Sequence, residues 1–386
     1  MIETVRSVEN LVIGGGLAGS MAAIDLARAG RDVLLIERER RAHHKVCGEF
    51  LSAEAIEYLD RAGVSPVALG AAPIRSVRLC VGRRTVEAQL PFPALSLSRF
   101  ALDEAMLAAA ADGGCSVVRG ESVVQLAREG KDWSGTLSDG RGIRSQTILL
   151  AAGKHDLRGW ARGAGRQSDL IGFKMHWRLA PAETRELREW MELFLFRGGY
   201  GGLSLIECEV ANLCFVVKRG ILKQLGGYRS ILREMLENSQ QLAHRLNGAE
   251  PLWERPLAIS PIPYGHIAET NDGAWRVGDQ FGVIPSFTGD GMAIALHSGA
   301  LAAQTILRGE PASVFNARLG AQLKPGMNFA LMLSRAMVSA AGRAFAIPAM
   351  TAHPAALGWI AERTRVPQNA ILSAKQLREQ PRCASL

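Results

Sequence analysis

Apolar residues cluster in short runs broken by glycine. Asn10–Ile13 is apolar and stops at three glycines; Leu17–Ala29 carries small and apolar residues at helical spacing, and Asp32–Ile36 is again apolar. The order predicts a strand, a helix and a second buried strand, a βαβ unit of about 30 residues. Ile74–Leu90 alternates like a hairpin around Gly82-Arg83, with Pro91 and Pro93 ending it. A helix is predicted from Ser98 to Asp112, with Leu102, Met106, Leu107 and Ala110 on one side. Short strands follow at Ser116–Val118, Ser122–Leu126, Trp133–Leu137 and Ile143–Ala151.

From Leu170 to Lys218 the runs lengthen, as in Ile171–Leu179 and Asn212–Lys218, and predict an antiparallel sheet. Ile221–Leu246 has an amphipathic helical stripe with a break at Gly226-Gly227. A glycine-rich stretch from Trp275 to Gly291 feeds a helix at Met292–Leu307. The pattern from Phe329 to Val338 is helical, and Pro348, Pro354 and Pro367 break the tail.

The chain has 386 residues, 48% hydrophobic and 21% charged, a globular balance with room for two domains. Its net charge of +8 is spread among acids, as in Glu37–Arg41, which argues against a nucleic-acid surface. The six cysteines have no paired spacing, which suits a reducing compartment without disulfides. The N-terminus has no apolar leader, and Phe329–Met350 is interrupted by Arg335 and Arg343, so a cytoplasmic location is expected.

Gly14-Gly15-Gly16-Leu17-Ala18-Gly19 fits GxGxxG between a strand and a helix. Gly14 allows the turn, Gly16 a close approach to a diphosphate, and Gly19 tight helix–strand packing. The diphosphate would rest on free N–H groups at the helix start. Glu37 ends the second strand, beside Arg38, where a carboxylate accepts ribose hydroxyls. A second glycine-rich signal lies at Val277-Gly278-Asp279 through Pro285, followed by Gly289-Asp290-Gly291-Met292. Asp290 has a plainer reading as a helix cap.

These motifs resemble the FAD-dependent flavoprotein monooxygenase superfamily, of para-hydroxybenzoate hydroxylase and geranylgeranyl reductase type, over most of the chain from Val12 to about Leu307. The resemblance implies an α/β fold: a Rossmann-like FAD-binding domain (1–72, 98–168 and 265–310), an antiparallel β-sheet substrate domain (73–97 and 169–264) and a C-terminal helical segment (311–386). It implies that Asp279 meets the ribityl chain, that Gly289, Gly291 and Met292 present N–H groups to the flavin ring, and that Arg99 reaches the diphosphate or ribityl region. Val123 would meet the adenine, and the Cys47-Gly48 stretch would lie beside the flavin.

Aromatic hydroxylases of that family carry an Asp-Gly pair where this chain has Ala152-Gly153, which weakens the case for a docked nicotinamide. NAD(P)H is carried as a candidate electron donor, and a separate reductase as a candidate partner. No Trp-x-Trp-x-Ile-Pro motif is present, which argues against halogenation. The first expectation for function is an FAD-dependent monooxygenase of a hydrophobic, aromatic or polyketide-like metabolite, with Pro285 and Phe287 shielding the activated flavin from water. The second is a geranylgeranyl-reductase-like enzyme acting on carbon–carbon bonds of a lipid-like substrate, with Cys47 as proton donor. The third is a flavin-binding protein without turnover.

His176 and Tyr200, in the substrate sheet, are candidates to orient or deprotonate substrate, with structural polar roles as the alternative. Cys47 is equally open to plain packing or, less readily, covalent attachment of the flavin. His43, His44 and Cys47 lack a fourth ligand, so a solvated loop and no metal are expected. Arg197 is open to an acidic substrate or to solvent, and His297 to packing. The C-terminal helices are read as a cover for the substrate domain, or as an apolar, basic surface for peripheral membrane contact. Oligomeric state is not legible.

Overall fold

The structure, a computed structural model, describes residues 6–269, 272–353 and 355–372. The opening βαβ unit is β1 (Arg6–Ile13), α1 (Leu17–Arg28) and β2 (Val33–Glu37), followed by β3 (Phe50–Leu51) and α2 (Ala53–Ala62). A hairpin of β4 (Ala72–Val81) and β5 (Arg84–Ser96) leads to α3 (Arg99–Asp112), then β6 (Ser116–Arg119), β7 (Val123–Glu129), β8 (Asp132–Leu137) and β9 (Gly142–Leu150). Next come β10 (Leu170–Arg178), α4 (Pro181–Leu187), β11 (Glu189–Phe196), β12 (Gly199–Leu205) and β13 (Ala211–Lys218). They are followed by α5 (Arg219–Leu225), α6 (Tyr228–Asn238), α7 (Gln240–Arg245) and the short strands β14 (Glu250–Pro251), β15 (Leu257–Ile259) and β16 (Trp275–Arg276). Four helices finish the described chain: α8 (Gly291–Leu307), α9 (Ala312–Met337), α10 (Ala340–Ala352) and α11 (Ala355–Arg363).

The first sheet runs β6-β2-β1-β9-β8-β7, with β16 beside β9. Its β1, β2, β6, β9 and β16 are parallel, and β1, β2 and the end of β9 are buried on both sides. Helices α1 and α8 pack against each other beside it, close enough that a Cβ on Gly299 would stand 2.2 Å from the Ala18 carbonyl oxygen. The second sheet runs β14-β10-β13-β12-β11-β4-β5-β3 and is antiparallel except where β11 meets β4. Strand alternation gives it two faces. Phe173, Met175, Phe194, Phe215 and Leu213 pack on Ile231, Met235 and Leu242 of α6 and α7. The opposite face looks toward the first sheet.

Several elements depart from the sequence reading. Strand β5 runs through Pro91 and Pro93 to Ser96, since only β3 pairs with its outer side, at Leu95 and Ser96, and no ladder donor is needed at the prolines. Helix α4 interrupts the stretch expected to be all strand; Pro181 sits in its first turn, where a missing N–H costs little. The stripe at 221–246 breaks at Gly226-Gly227 and again at Ser239, whose hydroxyl caps α7 by accepting the Leu242 N–H at 3.3 Å. Pro348 lies inside α10 rather than breaking the tail, and Pro354 is outside the described residues. Cys47, Cys80, Cys115, Cys208 and Cys214 are free thiols; Cys383 lies outside the described residues.

Candidate functional site

Gly14 turns the chain at φ +112°, where an added Cβ would stand 2.5 Å from the Ala151 carbonyl oxygen. A Cβ on Gly19 would stand 2.0 Å from the Gly14 carbonyl oxygen, so only glycine lets α1 sit this close to β1. Gly16 faces open space, with Arg99 Nη2 3.5 Å and Lys45 Nζ 3.9 Å from where its Cβ would be. No side chain caps this helix start, and its first turn holds no acid. Glu37 closes the loop from β2: its carboxylate accepts the Gly15 N–H at 2.7 Å and the Glu39 N–H at 2.9 Å.

Two cations beside bare helix N–H groups form a strong anion site. Asp103 fixes both, accepting from Arg99 at 2.7 and 2.9 Å and from Lys45 at 2.7 Å. Burial alone would raise the Asp103 pKa, but Arg99 and Lys45 outweigh it and hold the carboxyl below its usual range. Asp103 and Lys45 were not assigned roles from the sequence; their contact spans 58 positions.

A cavity of about 830 Å³ extends from this groove to the second sheet. Gly14, Gly16, Leu17, Ala18, Glu37, Arg38, Cys47, Gly48, Arg99, Val123, Gly153, Tyr200, Asp279, Gly289, Gly291 and Met292 all line it. Gly291 opens α8 with nothing within 4 Å of an added Cβ, so its backbone is bare toward the cavity. Asp290 does not cap α8 as expected from the sequence; its carboxylate turns away and accepts the Val366 N–H at 3.0 Å.

Three expected residues fall outside the lining. Gly19 serves packing alone. Pro285 is buried, and its neighbours Ile284 and Ser286 reach the cavity instead. His176 is 3% exposed, its ring 4.6 Å from Trp253 and 4.9 Å from His44, behind the 45–49 loop. His44 is correspondingly no solvated loop residue: it is half-buried against Phe100, His176 and Trp253, and burial, with His176 and Lys174 beside it, lowers its pKa to about 4.

The 45–49 loop is held from several sides. Asn212 Nδ2 donates to the carbonyls of Cys47 (3.2 Å) and Gly48 (3.0 Å), and Lys154 donates to that of Val46. Glu49, fully buried at φ +60°, accepts from Lys174 Nζ, from the Arg99 N–H at 2.8 Å and pairs with His176 Nε2 at 3.1 Å. Its pKa is lowered, since His176 and Lys174 outweigh the burial that would raise it. Donor atoms of His44, Glu49 and His176 lie within 4.8 Å of one another, but the Lys174 ammonium on Glu49 suits an ion pair rather than a metal. Lys174 and His176 are two apart in β10 and so share a face, the one sequence signal for this cluster.

The far half of the cavity is apolar because of register. Lys174, Cys214, Gly202, Leu193 and Leu79 stand side by side across five strands, and Gly172, Val216, Tyr200 and Leu195 form the next row. Beyond Lys174 these rows expose aliphatic side chains and bare glycine backbone to the cavity. Tyr200 is 2% exposed, with its hydroxyl 3.4 Å from Ser334 Oγ, and Tyr264 donates to Ser286 at 2.8 Å. Leu333, Ala346, Met350, Leu357 and Ile360 of the last helices complete the wall.

Residues 7–150 match a family model described as an FAD binding domain. The chain is 31% identical over 322 residues to a menaquinone reductase of Mycolicibacterium smegmatis, covering 78% of this chain and 76% of that one. It is 26% identical over 352 residues to a probable electron transfer flavoprotein-quinone oxidoreductase, YdiS, of Escherichia coli, covering 81% and 80%. The solved structure of the flavin-dependent brominase Bmp2 superposes with a TM-score of 0.75 at 18% identity, covering 96% of this chain and 97% of that one, a likeness of fold. FAD fits the residues present: the Arg99–Lys45 pair and bare Gly16 suit a diphosphate, Glu37 a ribose, and open Gly291 a flat ring edge.

Proposed function

We propose that this chain, which belongs to the FAD-dependent flavoprotein monooxygenase superfamily of para-hydroxybenzoate hydroxylase and geranylgeranyl reductase type, is an oxidoreductase that saturates a carbon–carbon double bond in a lipid-like substrate of the quinone class. The observation that carries this reading is the aliphatic floor of Val77, Leu79, Leu193, Leu195 and Val216, continuous with the nucleotide groove and meeting it at Cys47. A long apolar chain gains about 25 cal/mol for each Å² it buries there. The name of the mycobacterial relative, a menaquinone reductase, supports reduction over the monooxygenation that the first sequence expectation favoured.

Bound FAD supplies two-electron chemistry at the junction of the two sheets. Arg99 and Lys45 bind the diphosphate, Glu37 and Val123 hold the adenosine end, and Asp279 with the start of α8 holds the other. Cys47 delivers a proton from Sγ to the substrate carbon, and Asn212 and Glu49 hold its loop in place for that transfer. Tyr200 and the surrounding aliphatic side chains keep water from the reacting bond. Electrons come from NAD(P)H or from a separate reductase, with Ala152-Gly153 favouring the latter.

The test is an anaerobic reaction of pre-reduced enzyme with a short prenylated naphthoquinone, read by mass spectrometry. A product heavier by two hydrogens, with flavin reoxidised in step, is expected, and the added mass should persist after exposure to air, which returns a hydroquinone to the quinone but leaves a saturated carbon–carbon bond unchanged. A product carrying an added oxygen atom, formed only in air, would return the monooxygenase reading. Flavin oxidation unaffected by substrate under both conditions would favour a binding protein without turnover.

A further inference from the structure

Between Glu310 and Glu362 the chain has no Asp or Glu, while Arg318, Lys324, Arg335 and Arg343 fall inside the stretch. This stretch forms α9, α10 and most of α11, the helices that close the outer wall of the cavity. The same helices carry three of the protein's large exposed apolar side chains: Phe345 (72% exposed), Met332 (58%) and Trp359 (47%). Phe345 lines the cavity itself, and Met332 and Trp359 stand on the outer surface of the same helices, one position before the lining residues Leu333 and Ile360.

Each anchor also has a cation nearby in sequence. Arg335 follows Met332 by three positions, Arg343 precedes Phe345 by two, and the Arg363 guanidinium lies 4.7 Å from the Trp359 ring centre. None of these three arginines pairs with a carboxylate among the described residues; Arg335 donates to the Arg166 carbonyl and Arg343 to the Val338 and Ser339 carbonyls between α9 and α10. Helix α10 exposes Ala341, Ala344, Phe345, Pro348 and Ala349, and α9 and α10 meet at a bend of 106°. No single described helix is long and apolar enough to cross a membrane.

We propose that the rim formed by α9, α10 and α11 docks on the surface of an anionic phospholipid bilayer, with Phe345, Trp359 and Met332 entering the headgroup boundary and Arg335, Arg343 and Arg363 facing lipid phosphates. Charge decides the occupant. A two-fold contact with a second copy would set these uncompensated arginines against one another, whereas an anionic surface neutralises them. Aromatic and long apolar side chains flanked by arginine are the composition that the bilayer interface favours. Docking in this way sets the apolar half of the cavity, walled by these helices, next to the medium in which an apolar chain is dissolved.

The FAD-loaded full chain is sedimented with vesicles of phosphatidylcholine containing phosphatidylglycerol, and with vesicles of phosphatidylcholine alone. Binding is expected to the anionic vesicles, weakened by 0.5 M salt as screening requires. Trp359→Ser with Met332→Ser should lower partitioning by roughly tenfold or more. Arg335→Glu with Arg363→Glu should lower it further, roughly fivefold for each charge removed. Retained flavin absorbance and melting temperature verify that the variants fold. No sedimentation with anionic vesicles, or sedimentation that both double variants leave unchanged, overturns the proposal. So does concentration-dependent dimerisation that the same variants abolish. Vesicle binding is read without turnover, so its failure leaves the reductase reading intact, and failure of that reading leaves this one intact.

Discussion

Replacing Asp290 by asparagine removes a carboxyl that the fold buries almost without compensation. Asp290 is fully buried; one oxygen accepts the Val366 N–H at 3.0 Å, and the other stands 3.6 Å from Arg365 Nη1 with no hydrogen bond. Arg365 is shared with Glu54 at 3.8 Å and lies over the rings of Phe92 and Phe50 at 4.0 and 5.5 Å. Burial raises the Asp290 pKa from 3.8 to about 8, against the pull of Arg365 and with a smaller push from Glu54. A carboxyl raised in the folded state contributes stability that is complete below its unfolded pKa and is lost as pH rises through the folded one. The interval from 3.8 to about 8 corresponds, at about 1.4 kcal/mol per decade of proton concentration, to about 6 kcal/mol. Relaxation of nearby dipoles lowers the realised loss to roughly 2–4 kcal/mol. Asparagine keeps an acceptor for Val366 without the charge. Melting temperatures of both proteins are measured from pH 5 to 9 at one fixed excess of FAD, since ligand binding also shifts them. The wild-type protein should lose stability relative to Asp290→Asn from pH 5 upward, and the loss should level off as the pH passes about 8, where the folded-state carboxyl is itself ionised. Parallel profiles would refute the reasoning, because every other titrating group is common to the two chains.

Four further substitutions probe the site. Glu37→Ala removes the acceptor of the Gly15 and Glu39 N–H groups and the proposed ribose contact, so FAD should bind about 10- to 100-fold more weakly in a fluorescence titration; unchanged affinity would mean the adenosine end lies elsewhere. Glu49→Ala leaves Lys174 fully buried without its carboxylate and should cost about 3–5 kcal/mol. Adding Lys174→Met should recover part of that loss, and a single variant with wild-type melting behaviour would contradict the buried pair. Cys47→Ser should retain flavin while slowing product formation by roughly 10²–10³-fold, with flavin reduction by the electron donor unchanged; equal turnover would assign the proton to another group.

The amino-acid order by itself determined the parts of this protein that depend on neighbours in the chain. GxGxxG between a strand and a helix, Glu37 at the end of the next strand and the bare turn before α8 were legible because their shapes are set by backbone geometry, which glycine spacing encodes directly. Short apolar runs likewise marked the central strands of the first sheet, and alternation marked the β4–β5 hairpin of the second. Where the signal was local but two outcomes competed, the fold chose: Pro91 and Pro93 stay within β5 because that edge needs no donors, and Asp290 faces Arg365 and Val366 rather than its own helix. Only the tertiary structure decided which charges share a buried space. Lys45 meets Asp103 and Glu49 meets Lys174 across separations of 58 and 125 positions, distances over which sequence patterns carry no pairing information. His176 was visible as a polar residue of β10 in the second sheet, yet the 45–49 loop that covers it follows β2 of the first sheet, so its withdrawal from the cavity could not be read from β10. The apolar passage has the same origin: its rows cross five and four strands, and its continuity arises from strand register, which side-chain packing fixes only when the whole sheet assembles.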